Sequence, residues 1–250
     1  MNLKNIDLGN GIPKICVPVM EKSRQDIIDG FIESAKCEAE LIEWRLDAFD
    51  SIEDSAKVLS VLDEVAEIAE EKVLLVTIRS SKEGGLSDLT EDKLEELLLK
   101  IADSEKADLI DVEYFEHSSI EEFLKKLHEK GAKVVTSYHN FDETPDTDLM
   151  SNMLFEMKHG GADVVKIAVM PKSTTDVLSL LKATDTFHRV NRDTPIISMS
   201  MGSLGAISRM TGELFGSAVT FASLSKSSAP GQLTLTRAID ELTFMHEVLN

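Results

Sequence analysis

The chain has few cysteines and no long apolar run, the features that mark disulfide-rich and membrane-spanning proteins. Its 250 residues include only two cysteines, Cys16 and Cys37, too few for a disulfide scaffold or a clustered zinc site. Its apolar runs fall far short of the ~20 residues that cross a bilayer. The polar stretch over residues 1–10 lacks the apolar segment of a signal peptide. We therefore expect a soluble, cytoplasmic protein with reduced thiols.

Basic residues are also scarce relative to acidic ones. The chain has 26 Lys and Arg against 45 Asp and Glu, a formal net charge of −19. Nucleic acids and anionic membrane surfaces bind proteins whose cations neutralise phosphates, so we expect neither as a partner. The charge does not exclude small anions, because a pocket inside an acidic shell can be locally basic.

The hydrophobic pattern indicates a unit repeated along the whole chain. Eight short runs are too uniformly apolar for half-exposed strands and suit parallel strands covered on both faces. They are residues 14–20, 40–47, 72–79, 108–114, 133–139, 163–170, 195–201 and 218–224. Amphipathic segments separate them without a low-complexity linker. This pattern predicts an α/β fold, a (β/α)₈ TIM barrel, as one domain over residues 1–250.

The alternative fold is a doubly wound open sheet. Such a sheet would normally have a glycine-rich first turn, which Pro18-Val-Met-Glu-Lys-Ser23 does not resemble. Helix signals favour the repeated unit as well. Thr90 is the predicted N-cap of a helix over 90–103. The capping-box spacing of Ser118 and Glu121 predicts a helix that begins at Ser118 and ends before Gly131.

Lys166 is the most informative polar residue. It lies between Val165 and Ile167 in the sixth predicted strand, and a buried ammonium is costly unless it is paired or neutral. A snorkelling or ion-paired structural lysine is the alternative, but a covered barrel strand offers no open edge. Desolvation and nearby cations would favour the neutral amine, a nucleophile for a carbonyl group. The candidate cations are Arg45, Arg79, Arg209 and a protonated His139.

Other polar residues follow neighbouring strands, where barrel enzymes place their reacting groups. His139 ends the fifth predicted strand, one unit before Lys166, which favours catalysis over a structural role. Glu83 follows the third strand and is either a solvated loop acid or the partner of one ring nitrogen of His139. Glu43 and Arg45 share one strand face and form either a structural ion pair or part of a substrate site.

Motifs for metals and nucleotides are missing. The sequence has no H-E-x-x-H, cysteine cluster, P-loop or dinucleotide fingerprint, so we expect neither a metal nor a cofactor. The signal for a phosphate cup after the seventh strand is weak. The remaining histidines fall in or beside helical segments and are interpreted as surface residues. They are at positions 117, 128, 159, 188 and 246.

Seven features in order along the chain resemble the type I 3-dehydroquinate dehydratase family. They are Glu43-Trp-Arg45-Leu-Asp47, Thr77-Ile-Arg79-Ser, Ser137-Tyr-His139, Val165-Lys166-Ile-Ala-Val-Met-Pro171, Ile197-Ser-Met-Ser-Met-Gly202, Arg209 and Ser227-Ser-Ala-Pro-Gly-Gln232. The resemblance covers nearly the whole chain from about Lys14 onward. Each feature alone is weak, but the ordered set is specific.

The resemblance implies a shikimate-pathway enzyme of aromatic amino acid biosynthesis, homodimeric and without metal or cofactor. It implies that Lys166 forms an imine with the C3 ketone of 3-dehydroquinate. By the same resemblance, His139 moves the C2 proton to the departing C1 hydroxyl, and Glu83 orients His139. The implied substrate-binding residues are Arg209 for the carboxylate, Glu43, Arg45 and Arg79 for the ring hydroxyls, and Ser228 and Gln232 in a lid.

Two other functions remain open on the residues alone. A class I aldolase also places a Schiff-base lysine on the sixth strand, and a binding or regulatory barrel would keep the pocket without the chemistry. The arginine set without a clear phosphate cup disfavours the aldolase. The presence of both Lys166 and His139 disfavours a barrel that has lost its activity.

Overall fold

Eight parallel strands form the centre of the protein. The structure is a computed structural model that describes residues 1–224 and 231–250. The strands are β1 (Lys14–Val19), β2 (Leu41–Arg45), β3 (Val73–Thr77), β4 (Leu109–Glu113), β5 (Val134–Asn140), β6 (Val164–Val169), β7 (Ile196–Ser200) and β8 (Val219–Ser223). Hydrogen-bonded neighbours run in the order β8, β1, β2, β3, β4, β5, β6, β7.

The sheet closes into a barrel where β7 meets β8. The backbone N–H of Ala218 donates to the carbonyl oxygen of Ile196 at 2.7 Å, and Ile196 forms a parallel bridge with Ser217. A short strand, β9 (Leu233–Thr234), extends the sheet by pairing with β8. The predicted (β/α)₈ barrel is thus confirmed, with an isolated bridge at the seam in the described part of the chain.

Helices cover the outside of the sheet. They are α1 (Arg24–Ala35), α2 (Ser55–Ile68), α3 (Glu91–Asp103), α4 (Ile120–Glu129), α5 (Thr147–His159), α6 (Thr174–Val190), the short α7 (Ala206–Met210) and α8 (Gly212–Phe215), and α9 (Leu235–Leu249). Among the described residues, no helix combines the length and the apolarity needed to cross a membrane.

Side-chain alternation along β6 explains why Lys166 points inward. Successive side chains of a strand face opposite sides of the sheet. Val165 and Ile167 belong to the apolar cluster between the sheet and the helices. Val164 and Ala168 belong to a second cluster inside the barrel. Lys166 therefore shares the inner face of the strand with Val164 and Ala168.

The predicted strands match closely, because each observed strand overlaps its predicted run and only β5 extends past it, by one residue. Thr90 is the N-cap of α3, and Gly131, with φ +82°, follows α4 as predicted. The capping box at Ser118 is wrong. The N-cap of α4 is Ser119, and Ser118 instead donates its backbone N–H and its hydroxyl to Glu91 Oε1 at 2.6 and 2.9 Å. A carboxylate of another helix thus takes the Ser118 backbone N–H that the capping box would have used, and it holds the Ser118 hydroxyl as a donor instead of as the N-cap acceptor.

Candidate active site

A cleft of about 610 Å³ opens at the carboxyl ends of the barrel strands. Seven of the nine predicted site residues line it. They are Glu43, Arg45, Arg79, Glu83, His139, Lys166 and Arg209. Gln232 is partly buried and is not among the described residues that line the cleft, and Ser228 lies outside the described residues.

Lys166 is held by carboxylates. Its Nζ donates to Asp111 Oδ2 at 3.1 Å, lies 3.7 Å from Glu43 Oε1, and sits 4.8 Å from the centre of the Phe221 ring. The side chain is only 4% exposed. The described ion pairs of Lys166 are thus with two anions, Asp111 and Glu43, while the candidate cations Arg45, Arg79 and Arg209 line the same cleft.

Asp111 joins the lysine to the rest of the site. Its Oδ1 accepts from Arg79 Nη2 at 2.7 Å and from Ser137 Oγ at 2.6 Å. Burial of Asp111 opposes its ionisation, but the positive charges of Arg79 and Lys166 outweigh burial and lower its pKa to about 2. Asp111 is therefore ionised at neutral pH and fixes the position of the Lys166 ammonium.

Arg79 is the hub of the buried polar network. Besides Asp111, its Nη1 lies 2.9 Å from Glu113 Oε1, 2.9 Å from Ser137 Oγ and 3.4 Å from Glu83 Oε2. Burial alone would lower the pKa of Arg79, but the three carboxylates outweigh burial and raise it. Arg79 lines the cleft, yet most of its donors are used within the protein.

Arg45 and Glu43 do not pair with each other in the described structure. Arg45 donates from Nε and Nη2 to the two oxygens of Asp47, each at 2.8 Å. Glu43 Oε1 accepts from the Thr77 hydroxyl at 2.9 Å. Asp47 also accepts the backbone N–H of Leu86 at 3.1 Å, which ties Arg45 to the loop that carries Glu83.

His139 contacts Glu83 through two nitrogen atoms. Glu83 Oε2 accepts the backbone N–H of His139 at 2.9 Å and lies 2.9 Å from its Nδ1. Burial, followed by the charges of Arg79, Lys166 and Arg45, lowers the pKa of His139 well below its ordinary value. The expectation of a protonated His139 is therefore wrong, and its imidazole is neutral at pH 7.

Glu83 is an unusual carboxyl group for a surface loop. Burial, reinforced by Glu113 and Asp111, outweighs the attraction of Arg79 and raises the pKa of Glu83 to about 8. The local sequence holds it there. A 3₁₀ turn, Ser81–Glu83, ends at Gly84 with φ +78°, and a Cβ on Gly85 would lie 2.1 Å from the carbonyl oxygen of Arg79. The two glycines allow the loop to fold back over β3.

Arg209 is a buried cation in the opposite wall of the cleft. It lies on α7, is 2% exposed, and its Nη1 is 3.8 Å from Met199 Sδ. Burial lowers its pKa to about 10, so the guanidinium is charged at neutral pH. The tight turn before α7 requires Gly205, because a Cβ there would meet the carbonyl oxygen of Ser200 at 2.0 Å.

Sequence reasoning missed the carboxylates that organise the site. Asp111 and Glu113 are charged residues within the apolar run of β4. A charged residue inside an apolar strand is the same signal that identified Lys166 on β6. Ser137 was visible only as part of a motif, and its register opposite Lys166 depends on strand pairing. The interpretation of His117 as a surface residue is wrong, since its side chain is 1% exposed.

A profile of the type I 3-dehydroquinase family matches residues 15–248. The chain belongs to this family. A 3-dehydroquinate dehydratase of Clostridium novyi (strain NT) is 42% identical over 250 residues, covering 100% of this chain and 99% of that protein. One of Clostridioides difficile (strain 630) is 40% identical, covering 100% of this chain and 98% of the relative.

Solved structures of type I 3-dehydroquinases have the same fold. A 3-dehydroquinate dehydratase from Geobacillus kaustophilus HTA426 superposes with a TM-score of 0.96 at 37% identity, covering 100% of this chain and 97% of that chain. A type I enzyme from Clostridium difficile, described with covalent modified comenic acid, gives 0.95 at 40% identity, covering 99% and 98%.

Membership in the family assigns the activity. The chain is a hydro-lyase with 3-dehydroquinate dehydratase activity, a step of the shikimate pathway. The aldolase and the binding-barrel alternatives are therefore set aside.

Proposed function

We propose that this type I 3-dehydroquinase dehydrates 3-dehydroquinate through a covalent imine on Lys166, with His139 as the general acid and base. The observation that carries the proposal is the position of Lys166, which is 3% exposed, lines the cleft and has its Nζ 3.1 Å from Asp111. The covalent modified comenic acid described for the Clostridium difficile relative also supports covalent chemistry in this family.

The carboxylates around Lys166 suit an iminium ion. In the proposed first step, Lys166 loses a proton, its amine attacks the C3 ketone, and the ketone oxygen leaves as water. The protonated imine carries the same positive charge as the ammonium that it replaces. Asp111 at 3.1 Å and Glu43 at 3.7 Å would therefore stabilise it without rearrangement.

His139 is proposed to carry out the elimination. The iminium acts as an electron sink for the C2–H bond, and the neutral imidazole takes the C2 proton to give an enamine. The enamine expels the C1 hydroxyl, which leaves as water after His139 returns the proton. Addition of water to the imine then releases 3-dehydroshikimate and restores Lys166. Imine formation and hydrolysis cancel, so the net change is the loss of one water.

Glu83 is proposed to assist by holding the His139 ring. Its oxygen lies 2.9 Å from Nδ1, which leaves Nε2 of that ring for proton transfer. When the imidazole takes the C2 proton, an ionised Glu83 would stabilise the resulting imidazolium. This role requires Glu83 to be ionised when His139 acts as a base.

The remaining residues are proposed to bind the substrate. Arg209 offers a buried cation for the C1 carboxylate. Arginine is preferred for such contacts in proteins because its planar guanidinium can donate two parallel hydrogen bonds to one carboxylate. Arg45 and Arg79 are already bound to carboxylates, so we assign the ring hydroxyls to their remaining N–H groups and to Glu43. Ser228 and Gln232 remain the proposed lid residues.

We also propose a cytoplasmic homodimer in which residues 1–250 form one catalytic domain and turnover needs no metal or cofactor. The resemblance to the family supports the dimer and the lack of a cofactor. Both cysteines, Cys16 and Cys37, are free, which is consistent with a reducing compartment.

The experiment compares Lys166→Met with Lys182→Met, in which an exposed lysine of α6 is replaced. Lys166→Met should abolish turnover and still fold, because Asp111 keeps Arg79 and Ser137 as partners. Lys182→Met should keep wild-type kinetics. Circular dichroism and thermal melting check the fold. Turnover by a folded Lys166→Met, measured as the rise in enone absorbance, would refute the proposal.

A further inference from the structure

The loop after β4 meets the start of α3 at a cluster of one histidine and two glutamates. Glu91 and Glu95 lie four residues apart on α3, so their side chains share one face of the helix. His117 approaches this face from the segment that precedes α4. One ligand-type atom from each of the three residues lies within 4.8 Å of the others. None of the three is among the described residues that line the catalytic cleft.

His117 is buried without hydrogen bonds. Its side chain is 1% exposed, and its ring stacks on Phe123 with centroids 5.1 Å apart and planes 16° apart. Within the described part of the chain, neither ring nitrogen has a hydrogen-bond partner. Buried polar atoms in native proteins are normally hydrogen-bonded, so this imidazole requires an explanation.

The distances in the cluster suit a shared ion better than direct hydrogen bonds. His117 Nδ1 lies 3.5 Å from Glu95 Oε1 and 3.9 Å from Glu91 Oε1, both too long for a good N–H···O bond. Two ligand atoms at ~2.1 Å from a tetrahedral zinc ion lie ~3.4 Å from each other. The separation between His117 and Glu95 is therefore close to that around a bound ion, and the separation between His117 and Glu91 would shorten by about 0.5 Å on binding.

Glu91 is also prepared as a ligand. Its Oε1 accepts the backbone N–H and the hydroxyl of Ser118. These two bonds fix the direction of the carboxylate, in the way that hydrogen-bond partners commonly orient metal ligands. A groove of about 770 Å³ borders both Glu91 and His117 and gives an ion access from solvent.

We propose that Glu91, Glu95 and His117 form a divalent transition-metal site, with Zn²⁺ as the ion of best fit. One imidazole nitrogen and two carboxylate oxygens are typical zinc ligands, and water would complete the tetrahedron. Mg²⁺ fits poorly because it prefers octahedral, all-oxygen coordination. The ion would join the start of α3 to the segment before α4, so the site, here called the rim zinc site, is a structural one.

The test titrates chelator-treated protein with Zn²⁺ by calorimetry. Wild type should bind one ion per chain, and His117→Gln and Glu95→Gln should each weaken binding at least ~10-fold, since even partners that only orient ligands are typically worth that much. The matched control is His246→Gln. His246 Nδ1 lies 2.8 Å from Glu213 Oε1, but the described residues place no third metal-ligating side chain beside this pair. This control should bind zinc like wild type.

Thermal melting and Co²⁺ spectra provide independent readouts. Free Zn²⁺ at ~100 times its Kd should raise the Tm of wild type by roughly 5–10 °C, and Mg²⁺ should not. Co²⁺ should give visible absorption typical of tetrahedral coordination that is lost in His117→Gln. The proposal fails if wild type binds no zinc, or if His117→Gln binds as tightly as wild type.

The rim zinc site and the proposed catalytic mechanism are tested separately. Removing zinc with a chelator should leave kcat and KM unchanged, because the three ligands lie outside the cleft lining. Loss of turnover in chelator would contradict the metal-free mechanism. The binding measurements alone decide whether the rim zinc site exists.

Discussion

Glu83 and His139 share one carboxylate oxygen: Oε2 of Glu83 accepts the backbone N–H of His139 and lies 2.9 Å from its Nδ1. Because the two groups share one hydrogen bond, the ionisation of Glu83 determines which ring nitrogen of His139 carries the hydrogen. An ionised Glu83 accepts a hydrogen from Nδ1 and leaves Nε2 as a base. A protonated Glu83 donates to Nδ1 and places the ring hydrogen on Nε2, where it blocks proton abstraction.

This arrangement predicts the pH dependence of the reaction. Burial raises the pKa of Glu83 to about 8, so its ionised form is the minority below that pH. We expect kcat/KM of wild type to rise as the pH increases through about 8. In Glu83→Gln, the amide oxygen accepts from Nδ1 at every pH, so the rise of kcat/KM through about pH 8 should disappear. The pH-independent value of kcat/KM should be ~10² to 10⁴-fold lower than the wild-type plateau, because the imidazolium loses its counter-charge. An unchanged rise in Glu83→Gln would assign it to another group.

His139→Ala should capture the substrate without completing the reaction. Imine formation uses Lys166, whereas elimination needs a base at C2 and an acid at C1. We expect turnover to fall ~10² to 10⁴-fold or more, and a covalent adduct to accumulate that mass spectrometry detects without a reductant. His139→Asn should not restore activity, because an amide does not transfer protons. Turnover within a few-fold of wild type would make His139 structural.

The barrel was predictable because its signals are local. Parallel strands covered on both faces appear as short apolar runs, and only β5 exceeds its predicted run, by one residue. The start of α4 was not predictable from local spacing. Ser118 bonds to Glu91, 27 residues earlier in the sequence, and only the packing of α3 beside α4 brings the two together.

The sequence predicted which residues line the cleft better than it predicted the hydrogen bonds between them. Lys166 and His139 stand out as polar residues in or at the end of apolar strands. The bond from Arg79 to Asp111 spans 32 residues, and that from Arg79 to Ser137 spans 58, so neither leaves a local signal. The neutral state of His139 follows from burial among Arg79, Lys166 and Arg45, which only the closed barrel defines.

Arg209→Ala should weaken substrate binding more than it slows chemistry. Loss of a charge-assisted contact of ~1.5 to 3 kcal/mol corresponds to a ~10- to 150-fold rise in KM. Arg189→Ala, which removes an exposed arginine paired with Asp185, should leave KM unchanged. The decisive comparison uses a substrate analogue without the carboxylate. If Arg209→Ala prefers the natural substrate as strongly as wild type does, Arg209 does not bind the carboxylate.

Asp111→Asn should destabilise the fold in a pH-dependent manner. Removing this carboxylate takes a partner from two buried cations, Arg79 and Lys166, so we expect a loss of ~3–5 kcal/mol in the free energy of unfolding at pH 7. In the folded protein the pKa of Asp111 is about 2, below its ordinary value of 3.8. The ionised carboxylate therefore contributes its full stabilisation at pH values above 3.8, and this stabilisation is lost as the pH falls towards 2.

Urea titrations at several pH values test this dependence. The difference between wild type and Asp111→Asn should shrink as pH falls from about 4 to about 2. The exposed Asp63→Asn, whose ion pair with Lys106 is 3.8 Å long, should change stability by less than ~1 kcal/mol. A difference that is equally large at both ends of this range would contradict the assigned charge state of Asp111.

Borohydride reduction of the working enzyme tests the central claim most directly. Reduction converts an imine into a stable amine, so protein treated with 3-dehydroquinate and borohydride should gain one ligand-sized mass per chain. Peptide mapping should place it on Lys166, and Lys166→Met should show no gain. Labelling of a different lysine, or the absence of a label under conditions of turnover, would contradict the proposed mechanism.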